Sequence, residues 1–295
     1  MKALRILILS LGLFAACVAS ARTSGRDSLP AIPLALDELS VTDRVWIMAH
    51  RCHTENPAIP ENSLAALNAA IAAGADVVET DTQRTKDGFV VISHDRTING
   101  NTDGKGRITG MTLEKLKTFH LKDREGNVTS ETIPTLEEFL LAAKGRVYVN
   151  LDYSPRTAST GGVLAVVEKL DMVQQVFLYC NTRAKVEEVL EHNPEANVYF
   201  PSGLCKCVNG RRFFQTGWHP GLSDKSKTVK KSRKAVEKGF MCSVNLLHVN
   251  DGRIPEYEID TVQVRSLMDL FPDCRMIQTD CPDLLVPKLK EMGLR

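Results

Sequence analysis

From residue 45 to the C-terminus, short apolar runs alternate with stretches in which apolar residues recur every three or four positions. The runs predict strands over Val45–Ala49, Asp76–Thr80, Phe89–Ser93, Arg146–Leu151, Gln175–Tyr179, Asn197–Phe200, Met241–Asn245 and Arg275–Gln278. The intervening periodicity predicts helices over Ser63–Ala73, Leu136–Ala143, Gly162–Leu170, Thr182–His192, Thr228–Lys238, Thr261–Phe271 and Pro282–Met292. Their starts carry capping signals: Asn62 before Ser63, Thr135 before Leu136-Glu137-Glu138, and Pro282 opening the last. Eight strands alternating with helices over about 250 residues predict an α/β chain folded as a (β/α)8 TIM barrel. A doubly wound sheet is the alternative, but no glycine-rich nucleotide loop follows the first strand.

One connection breaks the alternation. Between His94 and Pro134 runs a long polar segment with five glycines, predicting a small insertion over about residues 96–134, after the third strand. It leaves from the barrel end where the predicted strands finish in charge. His50-Arg51 closes the first strand, Glu79-x-Asp81 the second, His94-Asp95 the third and Asp152 the fourth. Strand residues two apart share a face, so Glu79 and Asp81 point the same way. In barrels of this kind the strand C-termini build the active site. Four consecutive strands therefore deliver His-Arg, Glu-x-Asp, His and Asp to one mouth.

Composition changes this picture little. The chain of 295 residues is 43% hydrophobic with a net charge of +1, which argues against a nucleic-acid footprint. The basic run Lys225–Lys238 reads as a solvated helix face. The N-terminus says more: Lys2 and Arg5, an apolar stretch from Ile6 to Val18, then Ala19-Ser20-Ala21 form the three-part layout of a secretory signal peptide. The expected organisation is a signal over residues 1–21, a polar tether over 22–40 and a catalytic barrel over 41–295. The mature chain is then periplasmic or extracellular, without a transmembrane segment. Lipid attachment at Cys17 is a second reading, ranked lower because Phe14 stands where such sites carry Leu. Seven further cysteines (52, 180, 205, 207, 242, 274 and 281) form no disulfide framework or zinc spacing. Nothing in the sequence sets an oligomeric state.

Each strand-end group has a plain structural reading. A lone His is usually hydrogen-bonded scaffolding and a lone Asp a cap or turn residue. Glu-x-Asp on an apolar strand resists such a reading, because unpaired carboxylates are costly to bury. Three carboxylates suit a hard divalent cation such as Mg2+ or Ca2+. Two imidazoles can serve as general base and general acid, while an arginine and a metal neutralise an anion with several oxygens. That combination suits a phosphodiester.

At these residues the sequence resembles the glycerophosphodiester phosphodiesterase family. The matching segments, in order, are "AHRCHTENPAIPENS" (49–63), "VVETDTQRTKDGFVVISHD" (77–95), "TDGKGRITGMTLEKLKTF" (102–119), "IPTLEEFL" (133–140), "VYVNLDYS" (147–154) and "IQTDCPDLL" (277–285). The resemblance implies metal-dependent hydrolysis of a small-molecule glycerophosphodiester to sn-glycerol 3-phosphate and an alcohol. It gives His50 and His94 the acid/base roles, phosphate binding to Arg51, and the metal to Glu79, Asp81 and Asp152. Glu61 and Asn62 would shape the floor, and the insertion would wall the glycerol end.

Three positions depart from the family pattern. Cys52 replaces the glycine of the family's His-Arg-Gly, placing a side chain near the phosphate. The family's Glu-x-Lys reads Asp152-Tyr153-Ser154, with Arg156 a candidate substitute for the lysine, and "SVNLLHVN" lacks the usual Trp. Two alternatives stay open: a lyase forming a cyclic phosphate, and a weakened protein that only binds a phosphorylated ligand. His53, His120, His192, His219 and His248 carry no assigned role, while Phe214 and Trp218 are read as pocket cover or, preferably, core or subunit contact.

Overall fold

The computed structural model describes residues 44–153, 157–208, 212–219, 221–247 and 261–295. Eight parallel strands close into a barrel: β1 (Trp46–Ala49), β2 (Val77–Arg84), β6 (Tyr148–Asp152), β7 (Val176–Tyr179), β8 (Asn197–Pro201), β9 (Phe213–Gly217), β10 (Met241–Leu246) and β11 (Cys274–Thr279). Closure is explicit, because β1 pairs with both β11 and β2, in register Ala49↔Thr279 and Ala49↔Val78. The remaining strands lie outside the barrel wall: β3 (Val90–Ile92), and β4 (His120–Lys122) with β5 (Val128–Thr132).

The expected (β/α)8 fold is present, with two corrections to its strands. Residues 89–93, expected as the third barrel strand, are instead a hairpin return: β3 runs antiparallel to β2, pairing Thr82 with Ile92 and Arg84 with Val90. The reason is the connection. Thr85 Oγ1 donates to Asp87 Oδ1 at 2.6 Å, Phe89 N donates to Thr85 Oγ1 at 2.9 Å, and Gly88 takes φ 96°. So tight a turn can only reverse the chain, whereas a parallel crossover needs about a dozen residues. The missing barrel strand is β9, within the stretch read as pocket cover or core. Residues 202–207 form only a short 3-10 turn, so no helical period announces the strand that follows. The insertion thus follows the third strand in chain order but lies between the second and third barrel strands.

Alternation along the strands sorts residues into two layers. Trp46, Met48, Val77, Tyr148, Phe177, Tyr199, Phe213, Met241 and Met276 fill the lumen. Their rings tile at centroid distances of 5.1 Å (Trp46–Tyr148), 5.8 Å (Tyr148–Phe177) and 5.9 Å (Phe177–Phe213), so the barrel is a packed core below its mouth. The opposite faces meet the helices α1 (Leu64–Ala72), α3 (Leu136–Ala143), α4 (Thr160–Lys169), α5 (Arg183–His192), α6 (Lys227–Val236), α7 (Thr261–Leu270) and α8 (Pro282–Glu291). Thr135 forms a full capping box with Glu138, as its sequence predicts. The first helix is capped by Ser63, whose Oγ accepts from Ala66 N at 3.0 Å, rather than by Asn62. Asn62 is turned instead into the mouth with φ 57°.

The insertion has its own small core of Val91, Ile98, Ile108, Leu116, Leu121 and Ile133, with a short helix α2 (Leu113–Leu116). It grips the loop after β1: Arg124 N donates to Pro57 O at 3.0 Å and Arg124 Nη2 to Thr54 O at 2.6 Å. Among the described residues no helix is long and apolar enough to cross a membrane. The expected signal peptide, tether and Cys17, together with Ser154, Arg156 and His248, lie outside the described residues.

Candidate functional site

The carboxylate cluster follows from register. Glu79 and Asp81 share the inner face of β2, and β2 pairs with β6 so that Asp81 stands beside Asp152. One oxygen from each of Glu79, Asp81 and Asp152 lies within 4.8 Å of the others, and Glu79 and Asp81 are buried. Burial first, then the charges of Asp81 and Asp152, push the Glu79 carboxyl well above its ordinary range, against the donors of Arg51. Three acidic oxygen donors that repel one another in a buried pocket fit a hard divalent cation, which would remove that cost.

After Ala49 the chain makes a single tight turn, His50–Cys52, with Arg51 at φ 48° and Cys52 at φ 58°. Two consecutive left-handed non-glycine residues cost on the order of 1–3 kcal/mol each, and such strain gathers at working sites. Here it aims both ends of Arg51 at the cluster. Its backbone N donates to Glu79 Oε2 at 2.9 Å, and its Nε lies 3.9 Å from Asp81 Oδ2. Nη1 donates to both Glu61 oxygens at 3.3 Å. Burial alone would lower the guanidinium, but Glu61, Asp81 and Glu79 outweigh it and hold the charge firmly. The Cys52 side chain turns away, 1% exposed in the layer between barrel and helices, with Sγ 3.8 Å from Glu79 O. Its thiol therefore does not occupy the mouth.

Asn62 braces the same strand: its Nδ2 donates to Asp81 Oδ2 at 3.3 Å while its Oδ1 accepts from Thr80 Oγ1 at 2.7 Å. His94 is delivered by the hairpin. Ser93 N donates to Asp81 O at 2.9 Å, which sets His94 one residue from the carboxylate strand. Gln83 Nε2 donates to the His94 carbonyl at 3.0 Å and is itself held by Thr157 Oγ1 at 2.7 Å. His94 Nδ1 lies 2.8 Å from Asp95 Oδ1 and His50 Nδ1 lies 2.6 Å from Asp280 Oδ1. Each carboxylate makes Nδ1 the donor, so in the neutral rings Nε2 is the nitrogen that can take a proton. His50 Nε2 is 4.0 Å from Glu79 Oε2.

The structure thus brings His50, Arg51, Glu61, Asn62, Glu79, Asp81 and Asp152 together, with His94 beside them. It also adds residues to which the sequence assigned no role. Asp280 sits one residue beyond β11, and two imidazoles, His50 and His53, hold its carboxyl well below the usual range against the opposing effect of burial. The signal was available: it is another charge ending an apolar strand. His53 bridges Asp280 and Glu61 at 3.1 Å on each side. Glu61 is drawn down to about 2, because His53 and Arg51 outweigh its burial. Across the mouth stand neutral groups: Tyr179 Oη donates to Gln215 Oε1 at 2.9 Å and Gln215 Nε2 to Gln278 Oε1 at 3.3 Å. Phe214 and Trp218 are buried in the outer core, the core alternative for that stretch. Among the described residues the cysteines at 52, 180, 205, 242, 274 and 281 are free thiols.

With this geometry in place, comparison with known proteins is direct. The model of the Glycerophosphoryl diester phosphodiesterase family matches residues 50–204, the span from the His50 turn to just beyond β8. A glycerophosphodiester phosphodiesterase from Caldanaerobacter subterraneus subsp. tengcongensis is 39% identical over 111 residues, 37% of this chain and 45% of that protein. The chain spans between 32% and 56% of the length of the curated relatives it matches. A glycerophosphoryl diester phosphodiesterase structure from Parabacteroides distasonis superposes with a TM-score of 0.72 at 21% identity, covering 90% of this chain and 93% of that one. An Oleispira antarctica phosphodiesterase, solved with the product sn-glycerol-3-phosphate, gives 0.64 at 18% identity over 85% and 99%. The two structures share the fold, and the family match covers the turn, the carboxylate strand and the hairpin histidine, so the chain belongs to the glycerophosphoryl diester phosphodiesterase family.

Proposed function

We propose that this chain hydrolyses glycerophosphodiesters to sn-glycerol 3-phosphate and an alcohol, using one divalent cation, Mg2+ or Ca2+, and the His50/His94 pair. The observation that carries the reading is the register-set carboxylate trio with the Arg51 turn folded onto it. Glu79, Asp81 and Asp152 would hold the cation, which when bound supplies charge neutralisation for the phosphoryl oxygens. Arg51 presents a firmly cationic fork to the same oxygens, its direction fixed by Glu61 and Asp81. One imidazole accepts a proton from water as its oxygen bonds to phosphorus. The other protonates the alcohol oxygen as the P–O bond to it breaks. Asp280 and Asp95 hold the two rings in the tautomer that leaves Nε2 for this work.

The orientation of Cys52 supports an enzyme over a weakened binding protein, since the added side chain leaves the mouth open. Product analysis by phosphorus NMR in ¹⁸O-water, with glycerophosphocholine and glycerophosphoethanolamine, is the test. Hydrolysis gives glycerol 3-phosphate carrying one ¹⁸O from the start. Early appearance of a cyclic phosphate would replace the hydrolase with the cyclising lyase, and absence of any turnover with the cation bound would leave ligand binding. Export is also part of the proposal, and N-terminal sequencing of the secreted protein, with cleavage expected after Ala21, checks it.

A further inference from the structure

His53 lies outside the Glu79, Asp81 and Asp152 trio, and the proton transfers proposed above do not use it. Its side chain is 14% exposed, and both ring nitrogens face carboxylates. Nδ1 is 3.1 Å from Asp280 Oδ1, the same oxygen that takes His50 Nδ1 at 2.6 Å. Nε2 is 3.1 Å from Glu61 Oε2, and Glu61 in turn holds Arg51 Nη1 at 3.3 Å. The His50 and His53 rings stand edge to face with centroids 6.0 Å apart. Read in order, Arg51, Glu61, His53, Asp280 and His50 form one unbroken chain of contacts from the phosphate fork to an imidazole at the reacting centre. With both carboxylates ionised, both His53 nitrogens must carry protons, so the ring is a cation between two anions. Burial alone would push its proton off; the hydrogen bonds it donates to Asp280 and Glu61 outweigh that and raise its pKa. Without His53 each carboxylate would lose one of its partners, leaving it free to pull Arg51 or His50 out of line.

Resting on the diesterase reading above, we propose that His53 is a positioning residue that sets Arg51 through Glu61 and His50 through Asp280. The two arms can be cut separately. An asparagine amide reaches about where Nδ1 stands and a glutamine amide about where Nε2 stands. His53→Asn keeps the Asp280 arm and releases Glu61; His53→Gln does the reverse. His53→Ala cuts both.

The experiment is steady-state diester hydrolysis by these three variants of the full chain, with the folded fraction measured by circular dichroism and cation affinity by calorimetry. His53→Ala is expected to lower kcat about 10-fold and raise KM about 10-fold at unchanged cation affinity, on the scale of lost supporting contacts around a site. His53→Asn restores kcat but not KM, and His53→Gln restores KM but not kcat. In the Asp280→Asn background, His53→Ala has little further effect on kcat, because the arm is already cut. Parent-like kinetics in His53→Ala overturns the proposal. So do losses that track the folded fraction, or Asn and Gln variants indistinguishable from Ala. If the parent hydrolyses no diester, the earlier reading fails by itself, and inorganic phosphate binding then judges the linkage. An approximately 10-fold weaker affinity in His53→Asn but not His53→Gln supports it, and equal affinity in all variants overturns it.

Discussion

Among the described residues, the mouth of the barrel has two walls of opposite character. One arc, built from the sheet neighbours β11, β1, β2 and β6, carries Asp280, His50, Arg51, Glu79, Asp81 and Asp152. The other, from β7 round to β10, carries Tyr179, Gln215 and Asn245, the last in register with Gln278 at the seam. Both arcs stand on the same packed aromatic floor, so the scaffold does not explain the difference. Charge is concentrated where neighbouring strands can aim it at one point: the acidic oxygens converge within 4.8 Å only because β2 and β6 are in direct register. The contrast divides the labour. The charged arc would handle phosphorus and protons, and the neutral arc would touch only the alcohol.

Removing an imidazole from the charged arc should break this division most severely. His50→Ala or His94→Ala is expected to lower kcat by about 10²–10⁴-fold, the usual range for a general acid or base. Cation affinity, read by calorimetry, should not move. Next comes Glu79→Gln, which should act in opposite directions on stability and function. Because burial and its acidic neighbours disfavour the Glu79 charge, the neutral amide should raise Tm in chelator by about 2–4 °C, the shift expected for roughly 1 kcal/mol. The same variant should lose the rise in Tm that the parent shows with added cation.

Acid titration probes the Arg51–Glu61–His53 side of the charged arc. Glu61 sits at about 2 in the fold against an ordinary 4.5, so its contribution to stability is present above pH 4.5 and is lost as the pH falls toward 2. Glu61→Gln should flatten that part of the Tm–pH curve. His53 has the opposite sign: raised above 6.5, its contribution is whole below that pH and fades as the pH climbs through its folded value. The smallest effects belong to the neutral arc. Tyr179→Phe or Gln278→Leu should change kcat/KM by less than about 10-fold, the worth of one ordinary hydrogen bond. The change should depend on which alcohol leaves. A loss as large as that of His94→Ala would place chemistry on the neutral wall and end the comparison.

The two arcs also differ in how visible they are in the sequence. Charges that end apolar strands stand out, so His50, Arg51, Glu79, Asp81, His94 and Asp152 could be picked out as one mouth from alternation alone. Tyr, Gln and Asn on a strand carry no such signal, and the strand bearing Gln215 was hidden because a 3-10 turn rather than a helix precedes it. The hairpin misled for a related reason: Phe89–Ser93 has the apolar composition of a barrel strand, and only the brevity of the Thr85–Gly88 turn reveals that it must run backward. His53 could be seen to lie near the site, but its role could not be read, since that depends on Asp280, 227 residues away in the chain.

The most direct test of the central claim is titration of chelator-stripped protein with Mg2+ or Ca2+, following glycerol 3-phosphate release and cation binding in the same samples, parent beside Glu79→Gln. Activity that rises with occupancy of a single site in the parent, and is absent in the variant, is the predicted result. Full activity in chelator, or a variant as active as the parent, would contradict the assignment of the charged arc to a cation and to phosphodiester chemistry.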